Sequence, residues 1–166
     1  MSDFPDISEL ASATLRSLRA RGWMVATAES CTGGLIAAAL TDIAGSSDVV
    51  ECGFVTYSNA AKTAMLGVPA ALIALHGAVS GEVAAAMAEG ARARAGVAIA
   101  VSVTGIAGPG GGSADKPVGL VWFGCALSGA PTVTARHLFA GDRSAVRKAA
   151  VRQALRLLQE RAGLLS

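Results

Sequence analysis

Aromatic side chains are scarce: they make up 4% of the 166 residues, although hydrophobic residues as a whole make up 52%. Ala and Val must therefore fill much of the interior, which calls for tightly approaching helices and strands. Long apolar runs are missing too. The mean hydropathy is +0.51, yet every apolar run breaks well short of the roughly 20 residues needed to cross a bilayer. This excludes a spanning helix and predicts a soluble chain. The start, Met1-Ser2-Asp3-Phe4-Pro5-Asp6, has no basic region followed by an apolar stretch, so no export is expected and the location predicted is cytoplasmic. The three cysteines, Cys31, Cys52 and Cys125, are odd in number and lack metal-type spacing. They read as reduced thiols, with no disulfide, zinc or other cofactor. A net charge of +2 is too small to imply general nucleic-acid binding. The length suits one domain, 1–166, burying about 70% of the surface of its unfolded form.

Periodicity predicts a helix over 6–21, with Asp6 as N-cap and Ile7, Leu10, Ala11, Thr14, Leu15 and Leu18 on one face. A strand over 23–28, a sharp turn and a helix over 33–44 follow. The next strand is expected over 49–57, with helices over 59–66 and 69–75 and a longer one, capped by Ser80, to Ala95. The run 97–103 has no polar face and reads as a central strand covered on both sides. Residues 118–127 and 132–139 pair as a hairpin, and Asp142 caps a final helix striped by Val146, Ala150, Ala154, Leu155 and Leu158. About five strands in three layers, with a partly antiparallel sheet, are expected.

The turn Glu29-Ser30-Cys31-Thr32-Gly33-Gly34 places a hydroxyl and a thiol where a strand hands over to a helix. The unpaired N–H groups and positive dipole end of such a helix favour an anionic intermediate. Ser30 can attack a carbonyl there while amides around Thr32, Gly33 and Gly34 hold the oxyanion. A simpler role is helix capping by Ser30 or Thr32. A serine nucleophile needs a proton acceptor, and His76 and His137 read as structural. Lys62 is the sole Lys or Arg between Arg21 and Arg92 and lies in an otherwise apolar helix. Desolvation there would lower its pKa towards that of a usable base, whereas on the surface it would merely snorkel. Tyr57, the only tyrosine, either relays a proton or is an ordinary strand aromatic.

Thr104-Gly105-Ile106-Ala107-Gly108-Pro109-Gly110-Gly111-Gly112 follows the central strand at the end where ligands bind open α/β sheets. Its glycines can aim amides at a phosphate or form a plain flexible loop; neither a Walker A lysine nor a dinucleotide fingerprint is present. Arg143 starts the last helix, within reach of a phosphate. Arg147, Lys148, Arg152 and Arg156 read as a solvated face.

These motifs resemble the CinA C-terminal domain family. The matching segments are Thr27 to Gly34, Gly45-Ser46-Ser47, Gly53 to Asn59, His76 to Ser80, Thr104 to Gly112, Lys116-Pro117-Val118-Gly119 and Gly141-Asp142-Arg143. The resemblance implies an α/β fold, a three-layer α/β/α sandwich with a five-stranded mixed sheet, anticodon-binding-domain-like. It also implies metal-free hydrolysis of the carboxamide of nicotinamide mononucleotide to nicotinic acid mononucleotide and ammonia. The family's nucleophile falls on Ser30 and its basic lysine on Lys62. Tyr57, Thr104 and Arg143 match positions associated with the same site: Tyr57 joins Ser30 and Lys62 as an expected catalytic residue, and Thr104 and Arg143 join Thr32, Gly33, Gly34, Gly105, Gly108, Gly110 and Gly111 in the expected substrate-binding set. Ala60 departs from the pattern, since many relatives carry Glu there. Ser30 lies too near Met1 for the N-terminal molybdopterin-binding-like domain of longer family members, so the short form is expected.

The expected partners are a small-molecule pyridine nucleotide and further copies of the chain in a homo-oligomer, with no membrane or nucleic acid. Three other readings stay open: Cys31 as nucleophile, a non-enzymatic partner module in competence or DNA-damage responses, and a catalytically silent nucleotide-binding module.

Overall fold

The computed structural model describes residues 6–163. The first five residues, read above for an export signal, and the last three of the expected 1–166 unit lie outside that range. Among the described residues six α-helices surround one five-stranded sheet. In chain order these are α1 (Ile7–Ala20), β1 (Val25–Glu29), α2 (Leu35–Thr41), β2 (Val50–Val55), α3 (Asn59–Leu66), α4 (Ala70–His76), α5 (Gly81–Ala95), β3 (Ile99–Gly105), β4 (Leu120–Leu127), β5 (Val133–Leu138) and α6 (Arg143–Gly163). The strands lie in the order β2-β1-β3-β4-β5. β1 runs parallel to both β2 and β3, whereas β3–β4 and β4–β5 are antiparallel. The five-stranded mixed sheet and the β4–β5 hairpin agree with expectation.

Two apolar clusters show how the layers form. Leu15, Leu18, Ile36, Leu40, Val101, Phe123, Leu155 and Leu158 belong to the cluster uniting α1, α2 and α6 with one face of the sheet. Ala26, Ala28, Leu66, Ile73, Val83, Met87 and Ala100 belong to the cluster joining α3, α4 and α5 to the other. Each fully buried Leu or Ile contributes roughly 1.5–3 kcal/mol. β1 and β3 are buried along almost their whole length, as strands covered on both sides must be. No helix among the described residues is long and apolar enough to cross a membrane.

Several boundaries differ from the sequence-based expectations. The helix expected over 33–44 is Leu35–Thr41, because Gly33 and Gly34 take φ values of +59° and +104° and form the turn itself. Asp6 occupies the N-cap position of α1, but its side chain makes no capping hydrogen bond. Ser80 does cap α5, accepting from the Val83 amide at 3.3 Å.

The chain leaves β1 through α2 on one face and returns from β2 to β3 through α3, α4 and α5 on the other. The C-terminal end of β1 is thus the point where strand order reverses, the usual place for a ligand crevice in an open α/β sheet. At the end of β1 the three parallel strands are in register, Glu29 pairing with Val55 and with Val103, while β3 runs on to Gly105. Just beyond them, the Ser30 amide donates to the Val103 carbonyl at 3.0 Å and the Thr56 amide to the Glu29 carbonyl at 2.9 Å. Helix α3 seats against α5 because position 90 has no side chain. A Cβ on Gly90 would collide with the Leu66 carbonyl oxygen. Gly90→Ala should therefore cost about 1–3 kcal/mol, lowering Tm by roughly 2–4 °C per kcal/mol. An unchanged melting curve would show that α3 moves aside freely.

Candidate active site

Ser30 is the first residue after β1 and Lys62 lies one turn into α3, 32 positions away. The fold brings the Lys62 Nζ within 3.1 Å of the Ser30 Oγ. The same amine donates to the Thr56 carbonyl at 2.8 Å. Lys62 is 1% exposed, so it is a core residue of α3 and not a snorkelling surface lysine. Ser58 caps α3 by accepting from the Ala61 amide at 3.0 Å, and the buried face of this helix carries Lys62 and Leu66, four residues apart. Burial pushes the amine below its ordinary pKa of 10.5, opposed only by the charge of a Cys31 thiolate. That opposition is weak near neutrality, since burial raises the Cys31 thiol to about 11 and keeps it protonated.

The serine hydroxyl is free for this contact because another group caps α2. Glu29, fully buried, accepts from the Ile36 amide at 2.8 Å and the Ala37 amide at 3.0 Å. Its carboxylate also accepts from the Thr32 hydroxyl at 2.6 Å. Neither Ser30 nor Thr32 caps the helix, and Thr32 turns its hydroxyl into the protein. The positive end of α2, expected to face an oxyanion, is instead occupied by Glu29. Gly33 departs from its expected role as well, since its amide donates to the Ser30 carbonyl at 3.0 Å and closes the turn. Among the described residues this leaves the amides of Cys31, Thr32 and Gly34 without a backbone acceptor.

A cavity of about 260 Å³ opens above the pair and brings together Ser30, Lys62, Tyr57, Thr104, Gly105 and Arg143 of the expected set. Thr32, Gly33, Gly34, Gly108, Gly110 and Gly111 do not line it. Thr104 donates to the Ala78 carbonyl at 2.8 Å, fixing one wall. Arg143 spans the mouth, donating to the Gly108 carbonyl at 2.9 Å and to the Tyr57 hydroxyl at 3.0 Å. Tyr57 is 63% exposed, so its ring stands at the rim. The glycine-rich loop contributes Gly105 and Ala107 to the lining, while Gly110 and Gly111 face solvent.

Three contributors escaped the sequence reading. Asn59 lines the cavity from the start of α3; its place two residues after Tyr57 was the available signal. Glu29 had a signal too, as a lone charge ending an apolar strand. Arg147 corrects an expectation outright. It is not part of a solvated face, because its guanidinium donates to the Cys31 and Thr32 carbonyls, each at 3.1 Å. Its spacing of four from Arg143 puts the two on one helix face.

The fold and cavity define an α/β protein with a buried amine paired to a serine hydroxyl at the switch point of a mixed sheet. Residues 7–162 match the CinA C-terminal domain, and the chain belongs to that family. It is 52% identical to the nicotinamide-nucleotide amidohydrolase PncC of Escherichia coli (strain K12), over 92% of this chain and 93% of that protein. It is 59% identical to the protein of the same name from Enterobacter agglomerans, over 79% of this chain and 80% of that one. Among solved structures, the competence/damage inducible protein CihA from Agrobacterium tumefaciens superposes with a TM-score of 0.90 at 51% identity, covering 95% of this chain and 97% of that one.

Proposed function

We propose that the chain is a cytoplasmic nicotinamide-nucleotide amidase that hydrolyses the carboxamide of nicotinamide mononucleotide, with Ser30 as nucleophile and Lys62 as base. The reading rests chiefly on the 3.1 Å approach of the Lys62 amine to the Ser30 hydroxyl, and the names of the relatives supply the substrate class. Neutral Lys62 takes the hydroxyl proton as Ser30 Oγ attacks the carboxamide carbon. The amine's own N–H points at the Thr56 carbonyl, leaving its lone pair for Ser30. Negative charge gathers on the former carbonyl oxygen, beside the amides that follow the nucleophile. Collapse of the tetrahedral intermediate breaks the C–N bond, and the proton held by Lys62 goes to the departing nitrogen, which leaves as ammonia. Water then gives a proton to Lys62 and its oxygen to the acyl group. This frees nicotinic acid mononucleotide and returns the proton to Ser30.

Arg143, with Tyr57 beside it, binds the ribose phosphate at the rim while Thr104 holds the inner wall through the Ala78 carbonyl, and the amide is so oriented inside. Purified protein should release one ammonia per nicotinic acid mononucleotide formed. Free nicotinamide, which lacks the ribose phosphate, should react at least about 100-fold less efficiently in kcat/KM. No ammonia from the nucleotide, or equal rates on both compounds, would overturn the assignment.

A further inference from the structure

Glu29 occupies the first free amides of α2, so the helix dipole does not supply positive potential at the nucleophile turn. A different cation stands there. Arg147, from the second turn of α6, reaches across to two successive carbonyls of the turn, those of Cys31 and Thr32. The Thr32 carbonyl belongs to the peptide unit that carries the Gly33 amide, which donates to the Ser30 carbonyl, and that carbonyl shares its peptide unit with the Cys31 amide.

We propose that Arg147 is a positioning residue for the hydrolytic reaction: its guanidinium fixes and polarises the peptide units after Ser30, and through the Gly33 amide's bond to the Ser30 carbonyl it strengthens the amide of Cys31, the residue of this turn that lines the cavity beside the nucleophile. The inference rests on the reading of Ser30 as nucleophile. A full charge on a carbonyl oxygen draws electron density from its peptide nitrogen, and hydrogen bonds in series polarise one another. The guanidinium's planar fork suits this task, since it holds two carbonyls in fixed relation. Its field is felt at the turn, where it draws the Cys31 thiol downward against the larger upward push of burial. Arg143, one turn earlier, serves the rim, so a single face of α6 meets the site at two depths.

The test compares wild type with Arg147→Met, Arg147→Lys, Ser30→Ala and the exposed neighbour Lys148→Met, measuring kcat and KM for ammonia release from nicotinamide mononucleotide. Arg147→Met should lower kcat by roughly 10- to 100-fold with KM changed less than about 3-fold, because an interaction strongest in the transition state has been weakened. Arg147→Lys should recover part of that loss, and Lys148→Met should match wild type. In ¹H–¹⁵N spectra the Cys31 amide proton should move upfield in Arg147→Met and partly return in Arg147→Lys, a readout that separates polarisation from simple loss of stability. Wild-type kcat in Arg147→Met, or an unmoved Cys31 resonance, would overturn the role of Arg147 while leaving Ser30 in place. Full activity in Ser30→Ala would instead remove the nucleophile reading, and the present inference with it.

Discussion

Ser30→Ala should lose at least about 10⁴-fold in kcat for the nucleotide amide, with Tm unchanged to within about 1–2 °C. The activity loss follows from the chemistry: without Oγ no acyl-enzyme forms, and only water attack aided by binding and amide donors remains. Unchanged stability follows from the wiring of the turn. Had Ser30 capped α2, its loss would cost about 1 kcal/mol. The capping acceptor is Glu29, however, and Ser30 is held through its backbone, by Val103 on one side and Gly33 on the other. The next candidate nucleophile, Cys31, is buried and its thiol is raised to about 11, so at neutral pH it is protonated and unreactive. Retained activity in Ser30→Ala, measured as ammonia release beside a thermal melt, would dismiss the hydroxyl. Abrupt loss of both activity and stability would show that the turn depends on Ser30 structurally.

The architecture was legible because period and burial agree along most of the chain. The run 97–103, which has no polar face, overlaps β3 (Ile99–Gly105), buried on both sides, and the last two strands lie close enough in sequence to pair as the hairpin they form. The Ser30–Lys62 pairing was less legible. Nothing in composition says that a lysine 32 residues downstream bends back over the turn; the residue pattern shared with a known family pointed to it. The same pattern did not reveal which group caps α2. A buried carboxylate such as Glu29 is satisfied by three donors, two of them amides seven and eight residues ahead, and such long-range pairing leaves no periodic trace. Arg147 was misjudged for a related reason: an arginine in a basic stripe looks solvated until the partner element is known. The glycine-rich loop was read two ways, as an anion cradle or as a plain loop. Gly108 and Gly111 take φ values of +83° and +87°, a backbone need that either role shares, and from this stretch Thr104, Gly105 and Ala107 line the cavity.

Lys62→Met should abolish most activity and yet stabilise the fold, a combination that a merely structural lysine would not produce. Removing the base should cost about 10²- to 10⁴-fold in kcat. In the wild type, kcat/KM should rise with pH as Lys62 deprotonates, beginning below the ordinary lysine range because burial has lowered its pKa. In Lys62→Met that rising limb should vanish. The stability sign runs the other way from a salt-bridged lysine. The folded pKa lies below the unfolded value, so between the two the unfolded chain binds more protons and stability climbs with pH. Below the folded pKa the full penalty of a buried ammonium is present, and methionine, of similar length and no charge, relieves it. The compensating loss is the hydrogen bond to the Thr56 carbonyl. Exchanging buried charged groups for apolar chains is often neutral or stabilising, so Tm at neutral pH should rise, by roughly 2–4 °C for each kcal/mol gained, with the gain shrinking towards alkaline pH. A Tm that falls in Lys62→Met at every pH would mean that the amine holds α3 to β2 and is charged at no net penalty. Its lowered proton affinity, and with it the base, would then have to be given up.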